Sequence, residues 1–337
     1  MFKNKKILIT GGTGSFGKSF VMNILKNYDF EKIIIFSRDE LKQFEFENYL
    51  KKKGYDRNKH GLRFLLGDVR DRSRLSLAFQ DVDYVVHAAA LKQIPAAEYN
   101  PQEVIKTNIN GAENVIFAAL EQNVKKIIAL STDKAVNPIN LYGATKLASD
   151  KLFMAANNLS GNKNCRFSVV RYGNVINSRG SVIPLFKKLY NEQAKAIPIT
   201  QKEMTRFFIK LDEGVNFVIK SFYRMHGGEI FIPKLYSIKI IDIVKAIDPK
   251  IKIKIIGIRP GEKLHETLCH KDEAHLTLEF KDHYIIRPTI GLEVKKNYLI
   301  NNLKEKGKKV GKNFEYNSLH NKTLNISQIK KIINSKE

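Results

Sequence analysis

Cysteine is nearly absent: the chain of 337 residues has two, Cys165 and Cys269. They lack the spacing of metal ligands, so no metal is expected. A reducing, cytoplasmic setting with both thiols structural or incidental is the simplest expectation. No apolar run is long enough to span a bilayer, which argues against a membrane role. The opening Met1-Phe2-Lys3-Asn4-Lys5-Lys6 runs straight into a strand and offers no signal peptide. No internal repeat is apparent. Acidic residues are also in short supply: 34 Asp and Glu face 58 Lys and Arg, a formal net charge of +24. Such an excess fits an anionic partner, nucleic acid included. The lysines are scattered, however (Lys51–Lys53, Lys187–Lys188, Lys295–Lys296, Lys308–Lys309, Lys330–Lys331), and no nucleic-acid-binding module accompanies them. A general lysine bias accounts for the excess, and no nucleic-acid partner is expected.

What is present is an alternation of apolar runs with helical patterns, in a chain long enough for one large domain or two unequal parts. Strands are expected at Lys5–Thr10, Glu31–Phe36, Leu62–Val69, Asp83–Ala90, Lys125–Leu130 and Arg166–Gly173. Five or six such alternations predict an α/β fold with a Rossmann-like doubly wound parallel sheet. After the first strand, Gly11, Gly14 and Gly17 form G-x-x-G-x-x-G and open a helix. Side chains there would block the tight turn and the approach of a pyrophosphate to the helix N-terminus. Gly11, Thr13, Gly14, Ser15, Phe16 and Gly17 are therefore candidate dinucleotide contacts. The second strand ends in Ser37 and Arg38, which can donate to a 2′-phosphate, so NADP is expected rather than NAD. A solvated surface Arg38 is the plainer alternative. Asp39 and Glu40 read as the cap and first turn of the next helix, and the turn through Asp39 and Lys42 borders the same site. Asp68 and Val69 stand where an adenine edge could rest, though Asp68 could instead cap the helix near Asp71. Ala88 and Ala89 let a cofactor lie close to the backbone; His87 before them reads as a core histidine. Lys92 follows at a carboxyl end, where open α/β sheets bind ligands. A helix expected over Pro101–Asn123 carries Asn108, another candidate contact.

The richest stretch runs from Leu130 to Lys146. Tyr142 and Lys146 share one face of a helix expected from Leu141 to about Asn158. Thr132, Asp133 and Lys134 precede them at a strand end. From about Arg179 the pattern loosens into short strands and helices. Residues 1–178 are expected to form the NADP-binding domain with the catalytic residues. Residues 179–290 should form a smaller mixed α/β lobe over the carboxyl edge of the sheet, and 291–337 a polar, Lys-rich tail. Asn174, Val175, Thr200, Met204, Arg206, Arg259 and Glu262 are candidate substrate contacts, with Lys92 and Thr132. Arg206 and Arg259 suit a pyrophosphate, whose oxygens match a guanidinium fork; a surface ion pair would explain either one alone.

The glycine triad with Tyr142-x-x-x-Lys146 resembles the extended short-chain dehydrogenase/reductase superfamily. The resemblance implies that Tyr142 is the acid/base for a sugar hydroxyl. It implies that Lys146 lowers the pKa of Tyr142 and holds the nicotinamide ribose. Ser131–Pro138, Ser37–Lys42, Ala88–Gln93, Arg171–Val175 and Arg259–Lys263 narrow it: they are similar to the inverting UDP-N-acetylglucosamine 4,6-dehydratases. The resemblance runs from about Phe2 to about Pro288 and thins from Thr289. It implies an NADP-dependent hydro-lyase acting on UDP-N-acetylglucosamine with inversion at C5. That reaction is the first step of pseudaminic acid synthesis for flagellin glycosylation, and the enzymes form homo-oligomers (hexamer or dimer). On this reading Tyr142 takes the C4 hydroxyl proton, with Thr132 bonded to that oxygen. Lys134 takes the C5 proton, and Asp133 protonates the leaving 6-hydroxyl. A neutral Lys134, helped by positive charge on Lys146, and a protonated Asp133 are then required. An Asp133–Lys134 salt bridge capping the loop is the bland alternative. A retaining 4,6-dehydratase has closely similar motifs, but Tyr142 in place of Met favours the inverting branch. A UDP-sugar 4-epimerase would need Tyr142 and Lys146 alone. A nucleic-acid-binding protein on an inactive Rossmann scaffold would not need the intact Tyr142–Lys146 pair.

Overall fold

The structure is a computed structural model of the chain and describes residues 1–161, 163–176, 181–290 and 296–334. Its first half follows the alternation expected from the sequence. β1 (Lys6–Thr10), α1 (Ser15–Asn27), β2 (Lys32–Ser37), α2 (Glu40–Lys52), β3 (Leu62–Leu66), α3 (Arg72–Ala78) and β4 (Tyr84–His87) come first. Two short helices, α4 (Ile94–Tyr99) and α5 (Pro101–Ile105), pass through a π turn at Lys106–Asn110 into α6 (Gly111–Glu121). The single helix expected over Pro101–Asn123 is thus interrupted. β5 (Lys126–Thr132), α7 (Leu141–Leu159) and β6 (Arg166–Tyr172) complete the half. The strands lie parallel in the order β3-β2-β1-β4-β5-β6, the doubly wound arrangement expected. Strand order reverses between β1 and β4, so a crevice opens at their carboxyl ends.

The strands are apolar on both faces because helices cover both. Ile7 and Ile9 of β1 pack into one core with Phe20, Val21 and Ile24 of α1. Leu8, pointing the other way, packs into a second core with Val115 and Ile116 of α6.

The second half contains β7 (Asn174–Val175), α8 (Val182–Asn191), β8 (Ile197–Ile199), β9 (Thr205–Ile209) and α9 (Leu211–Arg224). It continues through β10 (Ile230–Pro233), β11 (Tyr236–Lys239), α10 (Ile240–Ile247), β12 (Ile253–Ile255) and β13 (Thr267–Cys269). β14 (Thr277–Glu279), β15 (His283–Ile286), β16 (Lys308–Lys309), β17 (Tyr316–Asn317) and α11 (Ile326–Asn334) end it. A small sheet of β11-β9-β7 and a core around Ile183, Phe186, Ile197, Phe208 and Ile243 form the expected lobe. The division is not clean, however. β10 pairs parallel with β6, and β15, β14 and β16 follow antiparallel, so the large sheet has ten strands. Residues 179–290 therefore supply strands to both bodies. The expected boundaries at 178–179 and at 291 lie outside the described residues. The tail also needs correcting. Ile329 and Ile333 of α11 are buried in the lobe core, and Tyr298 is buried beside α9, with its hydroxyl donating to the Gly227 carbonyl at 2.7 Å. No helix among the described residues is long and apolar enough to cross a membrane.

Candidate active site

β5 delivers Ser131 and Thr132 to the carboxyl edge, where Asp133–Ala135 turn once as a 3-10 segment. Asn140 caps α7, its Oδ1 accepting from the Gly143 amide at 2.7 Å. A Cβ at Gly143 would stand 2.2 Å from the Lys134 carbonyl oxygen. Only glycine there lets the first turn of α7 lie on the 3-10 turn and bring Tyr142 against Asp133 and Lys134.

Lys134 Nζ lies 3.0 Å from Asp133 Oδ1, 3.3 Å from Glu266 Oε1 and 3.4 Å from Asn174 Oδ1. The ammonium donates hydrogen bonds to Asp133 and Asn174, and Glu266 adds an ion pair. Thr132 Oγ1 donates to Asp133 Oδ1 at 2.9 Å. Asp133 is fully buried and Glu266 nearly so. Asp133 Oδ2 and Glu266 Oε2 have no hydrogen-bond partner among the described residues. Burial alone would lower the Lys134 pKa, but the Asp133 and Glu266 carboxylates outweigh it and hold the ammonium above its ordinary value, with Arg206 opposing. The neutral Lys134 expected from neighbouring positive charge is therefore not what these neighbours favour; the salt bridge is formed.

Burial pushes the Tyr142 phenol up to about 12, with the Lys134 cation and a Thr132 hydrogen bond opposing and Asp133 and Asp150 adding. Lys146, almost fully buried, is lowered by desolvation, with Asp150 opposing. The lowering of Tyr142 expected from Lys146 is not what its surroundings supply: Lys134 and Thr132 are the groups that oppose burial, and burial outweighs them. Asp150, one turn beyond Lys146, accepts from Ser131 Oγ at 2.8 Å and pairs with buried Arg171 at 3.2 Å. His87 is the core histidine expected. Its Nδ1 is 2.9 Å from Thr10 Oγ1, and burial with the Lys146 charge lowers it to about 3. Asn108 lies in the π turn, fully committed: Nδ2 donates to the Leu91 carbonyl and to Thr145 Oγ1, and Oδ1 accepts from the Leu91 amide. It ties the Leu91–Lys92 loop to α7 and presents nothing to the crevice.

The glycine triad divides by cause. A Cβ at Gly11, whose φ is +66°, would meet Ala89 N at 2.9 Å, and one at Gly17 would meet Gly12 at 2.5 Å. These two are fixed by packing, Gly11 against the Ala88–Ala89 turn across the switch point. At Gly14 a Cβ would touch only the Gly11 carbonyl, at 3.3 Å. Gly14 and Ser15 are exposed, and no side chain caps α1. Thr13 is buried beneath this turn, and Phe16 stacks toward Tyr172 at 6.5 Å. This open helix N-terminus fits a pyrophosphate. At the end of β2, Ser37 Oγ accepts from Gln43 Nε2, which leaves its own hydrogen free to donate. Asp39 caps α2, as expected, and also pairs with Lys42. Arg38 is half-exposed, 3.5 Å from Asp68. Asp68 also pairs with Arg70, and Asp71 is the cap of α3. Val69 is core, packed beside Gly111.

The substrate candidates separate too. Asn174 joins the Lys134 cluster, and Val175 beside it is half-buried. Thr200 donates to Glu262 at 3.2 Å, and Glu262 holds the exposed Arg259 at 2.5 Å. Met204 is buried in the lobe core and cannot line a site. Arg206 is buried and spends its donors on the Thr205, Leu264 and Lys263 carbonyls, with Nε 3.6 Å from Glu266. It fixes the 263–266 segment rather than offering a fork to a pyrophosphate. Lys92 stands at the rim, lowered by desolvation and by the Lys134 charge. Lys263 reaches across to the Val136 carbonyl at 2.5 Å. Around Lys134 the carboxylates of Asp133 and Glu266 face the four cations Lys134, Arg206, Lys92 and Lys263, which leaves this edge positive and suits an anionic ligand.

Sequence reasoning missed Glu266, Gly143, Asn140 and Asp150. Glu266 lies three residues beyond the Arg259–Lys263 motif, but nothing in that run links it to Lys134.

A family model described as polysaccharide biosynthesis protein matches residues 7–288. Over 95% of its length the chain is 60% identical to a UDP-N-acetylglucosamine 4,6-dehydratase (inverting) of Campylobacter jejuni, covering 94% of that protein. It is 41% identical over 99% of its length to a UDP-glucose 4-epimerase of Rickettsia conorii, covering 96% of it. The solved structure of Pen from Bacillus thuringiensis superposes with a TM-score of 0.87 at 36% identity, covering 99% of this chain and 98% of that one.

Proposed function

The chain belongs to the polysaccharide biosynthesis protein family, with the inverting UDP-N-acetylglucosamine 4,6-dehydratases of the extended short-chain dehydrogenase/reductase superfamily, and from that premise we propose that it removes water from UDP-N-acetylglucosamine and inverts C5. The observation that carries this reading is the contact of Asp133 with Lys134 beside Tyr142. A 4-epimerase, the activity named for the Rickettsia relative, would use Tyr142 and Lys146 and leave the Asp133–Lys134 pair without a task.

In this scheme Tyr142 acts as a phenolate, the form that Lys134 and the positive nicotinamide of a bound cofactor would favour against burial, and takes the proton of the C4 hydroxyl, with Thr132 bonded to the same oxygen. The chemistry a bound NADP would supply is carriage of the hydride lost from C4 and regained at C6. The C4 ketone acidifies the C5 proton. Lys134 takes that proton while Asp133 protonates the departing 6-hydroxyl, so C5–H and C6–O break as C5=C6 and water form. C5 is then reprotonated from the opposite face by a solvent proton, and Tyr142 releases to solvent the proton it took from the C4 hydroxyl. One transfer along the 3.0 Å Lys134–Asp133 bond converts the ion pair into the neutral amine and the neutral acid the step needs. The elimination itself regenerates the ion pair, so no outside proton is required to reset it.

The residues that would hold the cofactor are the Gly11–Gly17 turn at the pyrophosphate, Ala88 and Ala89 along the crevice, Asp68 near the adenine with Val69 behind it in the core, and Lys146 at the nicotinamide ribose. Ser37 and Arg38 would bind a 2′-phosphate. NADP is favoured over NAD because Asp39, the carboxylate nearest that strand end, is committed to capping α2. The product would be UDP-2-acetamido-2,6-dideoxy-β-L-arabino-hexos-4-ulose, made by a cytoplasmic homo-oligomer as the opening step of pseudaminic acid synthesis for flagellin glycosylation. The test is incubation of purified protein with UDP-N-acetylglucosamine in D₂O, followed by NMR. Water loss, deuterium at C5 and the L-arabino configuration are expected together. Retained configuration would move the enzyme to the retaining class, and a C4 epimer with no water loss would end the dehydratase reading.

A further inference from the structure

Glu266 has no role in the scheme above, yet it is a carboxylate only 2% exposed in contact with the proposed base. Burying a carboxylate is costly unless charge partners it. Its partners are Lys134 at 3.3 Å and the Nε of Arg206 at 3.6 Å. Its own backbone is held on both sides by the C-terminal segment: the Glu266 amide donates to Ser318 Oγ at 2.9 Å, and the Ser318 amide donates to the Glu266 carbonyl at 2.8 Å. Ser318 is fully buried, and its hydroxyl also bonds Thr205 Oγ1 at 2.7 Å. Arg206 grips the Lys263 and Leu264 carbonyls from the other side. The segment carrying Glu266 is thus fixed to β9 and to the tail, and its carboxylate is aimed at Lys134.

We propose that Glu266 is a positioning residue for the elimination, pinning the Lys134 amine so that its lone pair faces Asp133 and the substrate. This rests on the dehydratase reading. As an ammonium, Lys134 donates to Asp133 and Asn174 and is ion-paired with Glu266 at 3.3 Å. Once its proton passes to Asp133, the neutral amine keeps two hydrogens and one lone pair. Asn174 accepts one of those hydrogens, the Glu266 charge at 3.3 Å draws the other toward itself, and the lone pair is left on the Asp133 side. Without Glu266 the amine could rotate about its last bond and offer the C5 proton a hydrogen instead of a lone pair. The charge of Glu266 also sets when the handover occurs. The charged or titrating groups facing Lys134 are Asp133, Glu266, Arg206, Lys92, Lys263 and Tyr142. Asp133 and Glu266 are the two that favour the ammonium.

The test compares wild type with Glu266→Gln and Glu266→Ala, following C5 deuterium incorporation against pH. Glutamine keeps the acceptor oxygen and removes the charge. The limb that reports loss of the Lys134 proton should then fall by about one to three pH units, the usual effect of one close opposite charge. The KM for UDP-N-acetylglucosamine should change little. Alanine removes the acceptor as well, and C5 exchange should drop about 10²-fold even at the pH optimum. Should the alanine variant fail to fold, the glutamine limb alone decides. A wild type that dehydrates and a glutamine variant with an unmoved limb overturn this proposal and leave the dehydratase reading standing. A wild type that loses no water overturns the reading itself, and the role of Glu266 with it.

Discussion

Lys134 and Asp133 share one 3.0 Å hydrogen bond, and elimination needs both ends in the protonation state opposite to the one their neighbours favour. That requirement separates the proposed catalytic side chains by the step each one would block. Lys134→Ala should still let Tyr142 open the reaction at C4, so reduced nicotinamide should accumulate while C5 takes up no deuterium. Tyr142→Phe should stop earlier, with neither signal. Each loss should be about 10²- to 10⁴-fold, the range for removing a general acid or base; stopped-flow absorbance and NMR read the two steps apart. Undiminished C5 exchange in Lys134→Ala would remove Lys134 from the base role. The glycines make a second pair. Gly17→Ala would force a Cβ to within 2.5 Å of Gly12 backbone, and a loss of about 1–3 kcal/mol in a urea melt is expected for such overpacking. Gly14→Ala meets only one atom, at 3.3 Å, so stability should stay within about 0.5 kcal/mol. NADP affinity should fall nonetheless, because the added methyl stands where the pyrophosphate would approach. Equal destabilisation of the two variants would show that Gly14, too, is there for packing.

The π turn at Lys106–Asn110 is the element that joins the crevice to α7. Its extra residue turns Asn108 inward, where one amide side chain serves both backbone groups of Leu91 and the Thr145 hydroxyl. Asn108→Ala strips three partners at once inside a buried setting. A loss of about 1–3 kcal/mol is expected from the unpaired groups, with a rise in substrate KM because Lys92 is no longer held. Denaturant melts and steady-state kinetics measure the two; a stable variant with an unchanged KM would dissociate the turn from the site. This turn was not legible in the sequence, where Asn108 looked like a polar residue able to face the crevice. A π insertion leaves the helical apolar period nearly intact, so the pattern predicted one continuous helix. What was legible has a common cause. The strands β1 to β6 are buried on both faces and flanked by periodic helices, and their order follows from that alternation. Asp39 at the head of α2 and Asn140 at the head of α7 obey local rules, though only Asp39 was anticipated. Arg206 and Met204 were misplaced because their environment is set by the lobe core and by the 263–266 backbone, partners that no local spacing reveals.

At the scale of the whole molecule the chain leaves the large sheet after β6, builds the lobe, and returns to the sheet twice. A short run such as Ile230-Phe231-Ile232 carries no mark of which sheet will accept it, so the expected division into consecutive domains did not hold. The same return converts the Lys-rich tail into structure. Arg224, fully buried at the end of α9, bonds Glu305 through Nε at 2.7 Å and Asp282 through Nη2 at 2.8 Å. Asn301 donates to the same Glu305 carboxylate at 2.6 Å. The Arg224 hydrogen bond lowers Glu305 to about 2, and Asp282 is also held below its ordinary range despite partial burial, by His283 and Arg224. A carboxylate depressed in the fold contributes stability that is complete above its unfolded value, about 4.3 for Glu, and lost as pH falls through the folded value. Acid between roughly pH 4 and pH 2 should therefore release the 296–309 segment before it unfolds the parallel strands. Hydrogen exchange should show protection around Asn301–Glu305 falling first across that window, while β1, β4 and β5 remain protected. Glu305→Gln removes the titrating group, so its segment should be less protected at neutral pH and nearly indifferent to acid. Loss of protection in both regions at one pH would mean that the tail and the large sheet unfold as a single unit, with the Arg224 cluster contributing nothing local.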